Sequence, residues 1–198
     1  MNERAPLPED LMTQVETYAV SFLKEGRADW DVPHTRSVVY YADLLAQAAE
    51  ADRLVLTTAA WLHDIGYHGL FDEGDSSRYG HVQDKKILHM LRGADMAREF
   101  LERDEVIRRY TADQRERIIH LVGIHDKLDE LRELDELMLM EADTLGAIDI
   151  ARVKPTFDGA GAEKYIAKLK AKRLPLFRTT VGKDLAEVLV PIFEDYFR

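Results

Sequence analysis

The chain has 198 residues, of which 46% are hydrophobic and 32% charged, as expected for a globular domain with its own core. It has no cysteine, which excludes disulfide frameworks, thiolate metal sites and cysteine nucleophiles, so any metal must be held by imidazole and oxygen ligands. A net charge of −10 argues against general nucleic-acid binding.

Apolar residues at helical spacing predict a first helix over 11–23. A second helix, over 34–49, follows Asp31 and a proline suited to a first turn. The third, over 53–65, is apolar nearly all round, and we therefore expect it to be central. The glycine- and serine-rich stretch 66–81 predicts a long loop or a broken short helix.

The helical pattern resumes after this loop and continues to the C-terminus. The predicted helices cover 85–102, 112–124, 135–148, 160–173 and 182–196, the last with a proline at which it can kink. No segment alternates with the period of a strand. We therefore predict an all-α fold, a single helical bundle over 1–198 with a core of about 30–150 and C-terminal helices over about 160–198. Since no apolar run reaches the length of a membrane span and the N-terminus lacks a signal-peptide pattern, we expect a cytoplasmic protein.

Positive charge is concentrated in the segment 151–183. It holds nine basic and two acidic residues, a balance of +7 that leaves −17 for the rest of the chain. We interpret most of these lysines as a solvated helix face. In the alternative interpretation one or two of them approach an anionic substrate, and the spacing singles none out.

Several histidines and carboxylates lie near the ends of predicted helices. His34 begins the second helix, and the His63-Asp64 doublet closes the third. His125 closes a later helix, and Asp143 lies among apolar residues, where a carboxylate is costly to bury unless it meets a metal or a strong donor. A lone histidine at a helix end is more often a cap than a ligand, but these residues occur together and in order. An antiparallel helical hairpin would bring His34 and His63 to the same end of the bundle.

This order resembles the HD-domain superfamily of metal-dependent phosphohydrolases, which have a histidine, a later His-Asp doublet and a distant aspartate. The surrounding sequences Ala-Ala-Trp-Leu-His63-Asp64-Ile-Gly and Glu-Ala-Asp143-Thr-Leu-Gly-Ala-Ile-Asp are also similar to those of the family. The resemblance covers residues 34–149, approximately, and becomes weaker in the C-terminal helices. It implies that His34, His63, Asp64 and Asp143 bind one divalent metal, and such nitrogen and oxygen ligands suit Mn, Fe, Co, Ni or Zn.

Members of the family with two metals have two further histidines. The resemblance assigns these roles to His89, which precedes a Gly-Ala pair, and to His125, with Asp64 bridging the two ions. We expect one bound ion, and two if His89 and His125 also serve as ligands. Asp64 and His89 are the residues that we expect to act in catalysis. His81 competes with His89 for the same role. His120 fits the ligand pattern less well, and His68 is interpreted as a loop or pocket residue.

The chain departs from the family where many two-metal members have a phosphate-binding lysine soon after the doublet, because Tyr67 and His68 follow Ile65-Gly66 here. Phosphate contacts must then come from elsewhere. The candidates near the expected ligands are Arg36, Lys85, Arg92 and Lys127, each of which can also be an ordinary surface charge. Asp72, Glu73 and Asp75 could supply a general base or bind substrate from the loop, or could form a solvated acidic loop.

The resemblance implies a hydrolase in which a metal-activated water attacks phosphorus in a nucleotide or another small phosphorylated metabolite. One alternative is an oxygenase on the same scaffold with a mixed-valence di-iron centre, which needs the same two extra histidines. Another is a regulatory module that binds metal or nucleotide without catalysis. The expected partners are a small phosphorylated substrate and, by family analogy, a second copy in a homodimer, with neither nucleic acid nor membrane.

Overall fold

The computed structural model describes residues 6–27, 29–49, 51–72, 79–156 and 159–198. The α-helices are α1 (Glu9–Leu23), α2 (Asp31–Ala49), α3 (Arg53–Leu62), α4 (Tyr79–Leu101), α5 (Ala112–Ile124), α6 (Leu134–Ile148), α7 (Gly159–Lys168) and α8 (Thr180–Asp195). Three short 3-10 turns cover Ile65–Tyr67, Ile107–Arg109 and Leu174–Leu176, and a π-helical segment covers Leu169–Arg173. The described residues contain no strand, which confirms the all-α prediction.

The predicted and observed helices differ most around the long loop. The third helix ends at Leu62 rather than 65, because the chain turns at the His-Asp doublet and continues as a 3-10 turn. α4 starts at Tyr79 rather than at 85, so the end of the predicted loop is helical. The remainder of that loop, 73–78, lies outside the described residues. The predicted helix over 160–173 is divided between α7 and the π-helical segment.

The core is built around α3, whose side chains from Val55 to Leu62 are all buried, as its apolar sequence predicted. α2 packs against both α3 and α6. The approach of α2 to α6 is close at Gly146, where a Cβ atom would lie 2.8 Å from Cγ2 and 2.9 Å from the backbone nitrogen of Val38. Because no side chain fits there, the two helix backbones can approach closely and bring their polar ends together.

The C-terminal helices are tied to this core through Glu141 of α6. Its buried carboxylate accepts hydrogen bonds from the backbone nitrogen of Thr179, at 3.1 Å, from that of Arg178 and from the Thr179 hydroxyl. Thr179 in turn caps α8 by accepting from the nitrogen of Gly182 at 2.9 Å. The tail is therefore anchored beside α6. Among the helices described, none combines the length and the apolar character needed to cross a membrane.

Glu136, in the first turn of α6, is a carboxylate whose charge is stabilised by its neighbours. It accepts hydrogen bonds from the backbone nitrogens of Arg132, at 2.7 Å, and Glu133, at 3.0 Å, and from His120 at 2.7 Å. Burial raises the pKa of Glu136, but these hydrogen bonds outweigh it and lower the pKa to about 2. A lowered pKa means that the ionised group stabilises the fold above its unfolded-state pKa, and that this contribution is lost as the pH falls towards 2.

We expect Glu136→Gln to lower the free energy of unfolding by about 1–2 kcal/mol at pH 7 and by less at pH 3. Urea unfolding at both pH values measures the difference. Glu116→Gln, an exposed position on α5, is the control and should change stability by less than about 0.5 kcal/mol. An equal loss at pH 7 and pH 3 would show that the charge of Glu136 is not the cause.

Candidate metal centre

Five helices bring six buried histidine and aspartate side chains to one place. His34 lies in the first turn of α2, the doublet directly follows α3, and His125 directly follows α5. His89 lies within α4 and Asp143 within α6. The complete set is His34, His63, Asp64, His89, His125 and Asp143, and each residue is at most 8% exposed.

The first part of this cluster joins two histidines to two carboxylates. His34 Nε2 lies 3.1 Å from Asp143 Oδ1 and 3.7 Å from Asp64 Oδ2. His63 Nε2 lies 3.2 Å from Asp64 Oδ2 and 3.9 Å from Asp143 Oδ1. The donor atoms of His34, His63 and Asp64 lie within 4.8 Å of one another, close enough to share a metal ion.

The second part uses the other oxygen of the same aspartate. Asp64 Oδ1 lies 3.4 Å from His89 Nε2 and 3.7 Å from His125 Nε2, and the two histidine nitrogens are 3.2 Å apart. These three donors form a second group within the same 4.8 Å limit. Asp64 therefore presents one oxygen to each group and could serve as a ligand in either of them.

Backbone carbonyls fix the orientation of two of the histidine rings. His63 Nδ1 donates to the carbonyl of Ala60 at 2.7 Å, and His125 Nδ1 donates to that of Val122 at 2.9 Å. With Nδ1 protonated, Nε2 of each ring is left as the ligand atom facing the cluster. Nε2 of His63 is buried and makes no hydrogen bond to the described residues, as expected for an atom reserved for a metal.

The protonation of the cluster also fits a cation. Burial lowers the pKa values of His34, His89 and His125, so these rings are neutral ligands at pH 7. Burial opposes the charge of Asp64, but His63 and Arg27 outweigh it and hold its pKa well below the usual range. Burial likewise disfavours a proton on His63, yet Asp64 and Asp143 raise its pKa to about 8. The carboxylates thus favour a positive charge at this point, and a divalent ion would supply it.

Tyr67 occupies a position where many two-metal members of the family have a lysine. Its side chain contacts one residue of the cluster and one nearby cation. Its ring stacks on that of His89 with centroids 4.0 Å apart and planes at 7°. The guanidinium of Arg27 lies 4.4 Å from the centroid of the same ring. Tyr67 therefore positions one expected ligand and one cation rather than supplying a charge itself.

Of the described residues, the cationic side chains that line the cleft opening onto the cluster are Arg27, Lys86 and Arg173. Arg27 contacts Asp64 through one terminal nitrogen and donates from Nε to Asp31 Oδ1 at 2.6 Å. Burial would lower the pKa of Arg27, but Asp31 and Asp64 raise it, so the group stays charged.

Lys86 and Arg173 come together on the other side of the cleft. Lys86 pairs with Asp126, the residue after His125, and Arg173 pairs with Asp143. Arg173 Nη1 also lies 3.6 Å from Asp126 Oδ1. Burial, followed by the positive charges of Arg173 and Lys168, holds the pKa of Lys86 well below its usual range.

The candidates named from the sequence for phosphate contact do not line this cleft, in keeping with their alternative interpretation as surface charges. Arg36 pairs with Glu16 at 3.0 Å on an exposed face, and Lys127 pairs with Glu130 at 3.7 Å. The other two, Lys85 and Arg92, lie on α4 outside the lining. A residue can be close in sequence to a metal ligand and still lie on a different face of the helix, so its side chain need not reach the cleft.

A sequence signal was available for Arg27 but not for Arg173. Arg27, Asp31 and His34 follow one another at spacings of four and three, which are typical of one helical face, although Arg27 itself precedes α2. Arg173 lies 30 residues after Asp143, the expected ligand that it contacts, and it ends the π-helical segment. Arg173, from the basic stretch 151–183, therefore lines the cleft.

The remaining candidates lie elsewhere or outside the described part of the chain. His120 is 45% exposed and bound to Glu136, and His68 pairs with Glu25 at 3.5 Å near the surface. Asp72 is exposed. The side chain of His81 and the loop residues Glu73 and Asp75 lie outside the described residues. The structure therefore brings His89, not His120 or His68, to the cluster.

Solved structures of bacterial proteins share this fold. A predicted HD superfamily hydrolase from an uncultured Thermotogales bacterium is 18% identical, with a TM-score of 0.59 over 98% of this chain and 91% of that chain. An HD-superfamily hydrolase from Bacillus thuringiensis, also 18% identical, gives a TM-score of 0.57 over 95% and 93%. Bacillus subtilis YpgQ in complex with ADP, again 18% identical, gives 0.55 over 96% and 92%. No protein of curated function matches the chain.

The sequence itself matches the model of the HD domain over residues 32–152, more than half of the chain. That range contains all six residues of the cluster. The basic C-terminal part that supplies Arg173 lies beyond it. The chain therefore belongs to the HD-domain family.

Proposed function

We propose that the protein is a metal-dependent phosphohydrolase acting on a nucleotide or another small phosphorylated metabolite. The observation that carries this proposal is the position of Asp64 between two pairs of buried histidines, at the base of a cleft lined by cationic side chains. A set of metal ligands by itself is compatible with several kinds of reaction. Metal ligands next to buried cationic side chains suit a substrate with negatively charged oxygens.

His34, His63, Asp64 and Asp143 would hold one ion, and Asp64, His89 and His125 a second. A metal bound there would supply a water of lowered pKa and would stabilise negative charge on phosphoryl oxygens. Since burial keeps three of the histidines neutral, the protein does not have to remove a proton from them before they bind metal.

Arg27 is the side chain we assign to the phosphoryl group under attack. It contacts Asp64 directly, and Asp31 and the ring of Tyr67 fix its position. A guanidinium held in this way can donate hydrogen bonds to phosphoryl oxygens without first becoming ordered. Asp31 is then a positioning residue, because it acts through Arg27.

Two further observations support a small nucleotide-like substrate. The similar YpgQ of Bacillus subtilis has been crystallised with ADP. The net charge of −10 disfavours a long nucleic acid, whose binding depends on an extended basic surface.

The test is hydrolysis of a panel of phosphomonoesters, nucleotides and phosphodiesters by the full-length protein with Mn, Co, Ni, Fe or Zn added. We expect release of phosphate or diphosphate with at least one metal, and none with His63→Ala. The proposal fails if no substrate is turned over with any metal and His63→Ala leaves the metal content unchanged. Bound iron, a visible absorption band and substrate-dependent oxygen uptake would instead favour the oxygenase.

The second metal group makes a separate prediction. We expect His125→Ala to reduce the metal bound after saturation and desalting from about two ions to one per chain, because Asp64 and His89 alone are too few ligands. Elemental analysis measures this ratio. His120→Ala, in the last turns of α5 just before His125 but outside the cluster, is the matched control and should retain the wild-type ratio. Equal metal content in the His125 variant and the wild type would remove His125 from the site.

A further inference from the structure

Lys86 and Arg173 lie near each other in the lining of the cleft, and Lys168 is a neighbour of both. The side chains of Lys86 and Arg173 are 18% and 7% exposed, and they share the carboxylate of Asp126. Lys168 reaches the rim, where Nζ donates to Gln83 Oε1 at 2.7 Å. Nε of Arg173 is buried and makes no hydrogen bond to the described residues. This corner therefore has more donors than the protein satisfies.

The π-helical segment is what brings two of these cations together. Lys168 ends α7, and Arg173 ends the segment Leu169–Arg173. In an α-helix, residues five apart are separated by about 140° around the axis and lie on different faces. Hydrogen bonding from i to i+5 stacks such residues on nearly the same face, and π-helical turns occur often at functional sites. The local geometry thus turns both side chains towards the cleft.

A bound metal would change the balance of charge in the cleft. Among the described residues around the cleft, the basic side chains Arg27, Lys86, Lys168 and Arg173 lie near the carboxylates of Asp31, Asp64, Asp126 and Asp143. Each divalent ion would add two positive charges. Arg173 pairs with the carboxylate of Asp143. When that carboxylate also binds a metal, Arg173 needs another anionic partner, and an anionic group of the substrate can be that partner.

We propose that Lys86, Lys168 and Arg173 form a subsite for a second anionic group, so that the preferred substrate carries two adjacent phosphates rather than one. The inference rests on the proposed function and deepens it. Arg173 contacts Asp143, an expected metal ligand, so the subsite begins directly beside the metal centre. A group bound there would lie next to a phosphoryl group held at the metal centre, as the second phosphate of a diphosphate lies next to the first.

The test compares binding of methylenediphosphonate and methylphosphonate, which differ in the second anionic group and resist hydrolysis, to the full-length protein loaded with manganese. Isothermal titration calorimetry should show at least about tenfold tighter binding of the diphosphonate. We expect Lys168→Gln to reduce this preference by about tenfold and Lys168→Arg to retain it. Lys172→Gln, at an exposed position of the same segment, is the control and should behave as the wild type. Elemental analysis after each titration confirms that the diphosphonate has not removed the metal.

The subsite is refuted if the wild type binds both probes equally, or if Lys168→Gln weakens both to the same extent. It is also refuted if Lys172→Gln has the same effect as Lys168→Gln. Because neither probe is turned over, the result is independent of hydrolysis. If the protein prefers the diphosphonate through Lys168 but hydrolyses no phosphate ester, the proposed function is rejected and the subsite is kept. If it hydrolyses phosphate esters but shows no such preference, the subsite is rejected and the proposed function is kept.

Discussion

Replacing Asp64 with asparagine is expected to remove metal from both groups of the centre and to lower the proposed phosphohydrolase activity by at least about 10³-fold. The reason is geometric, since Oδ2 of Asp64 faces His34 and His63 while Oδ1 faces His89 and His125. An amide keeps the size of the side chain but loses the negative charge and offers only one oxygen ligand. Elemental analysis and hydrolysis assays on the same preparation measure both effects.

Asp149→Asn is the matched control for this prediction. Asp149 is also a buried aspartate, 7% exposed, but it accepts a hydrogen bond from the hydroxyl of Tyr41 at 2.7 Å and lies outside the cluster. We expect this variant to lose some stability and to keep its metal. If Asp64→Asn binds as much metal as the wild type, Asp64 is not a bridging ligand.

Replacing Gly66 with alanine is expected to lower the free energy of unfolding by about 3 kcal/mol and to weaken metal binding at His89. A Cβ atom at position 66 would lie 2.0 Å from the carbonyl oxygen of His89 and 2.6 Å from the backbone nitrogen of Gly93. Both contacts are to the backbone of α4, so no side-chain rotation relieves them. α4 would have to move away from the doublet and would take His89 with it.

Urea unfolding measures the stability of this variant, and metal content after saturation measures the displacement of His89. Gly123→Ala is the control, because a Cβ atom there has Ala94 Cβ at 3.5 Å as its nearest neighbour, an ordinary contact. In the last turn of α5 this change should be neutral or stabilise by up to about 1 kcal/mol. Equal stability of Gly66→Ala and the wild type would contradict the close approach of α4.

The position of Gly66 also changes how its role is interpreted. From the sequence, Gly66 marks the end of the third predicted helix. In the structure that helix has already ended at Leu62, and Gly66 lies within a 3-10 turn against the backbone of α4. The glycine is needed for the contact between two elements, and no local pattern can show such a contact.

Local sequence was informative where the physical signal is itself local. The helical periods of α5 and α6 were predicted to within a residue, because one apolar face recurs through each of them. The apolar run of α3 identified the central helix. The order of His34, His63, Asp64 and Asp143 indicated the family, and the structure places all four side chains together.

The sequence by itself determined the class of fold, the family and the residue types open to a metal, because helical periodicity, a motif and the absence of cysteine can all be read along the chain. Only the tertiary structure decided that Asp64 faces two groups of histidines and that Arg27, Lys86 and Arg173 line the cleft. These side chains come from different helices, and their approach depends on contacts between backbones at Gly66 and Gly146 and on the π-helical turn before Arg173. Packing between elements distant in sequence fixes such contacts, and the net charge of a segment does not reveal which of its cations will turn inward.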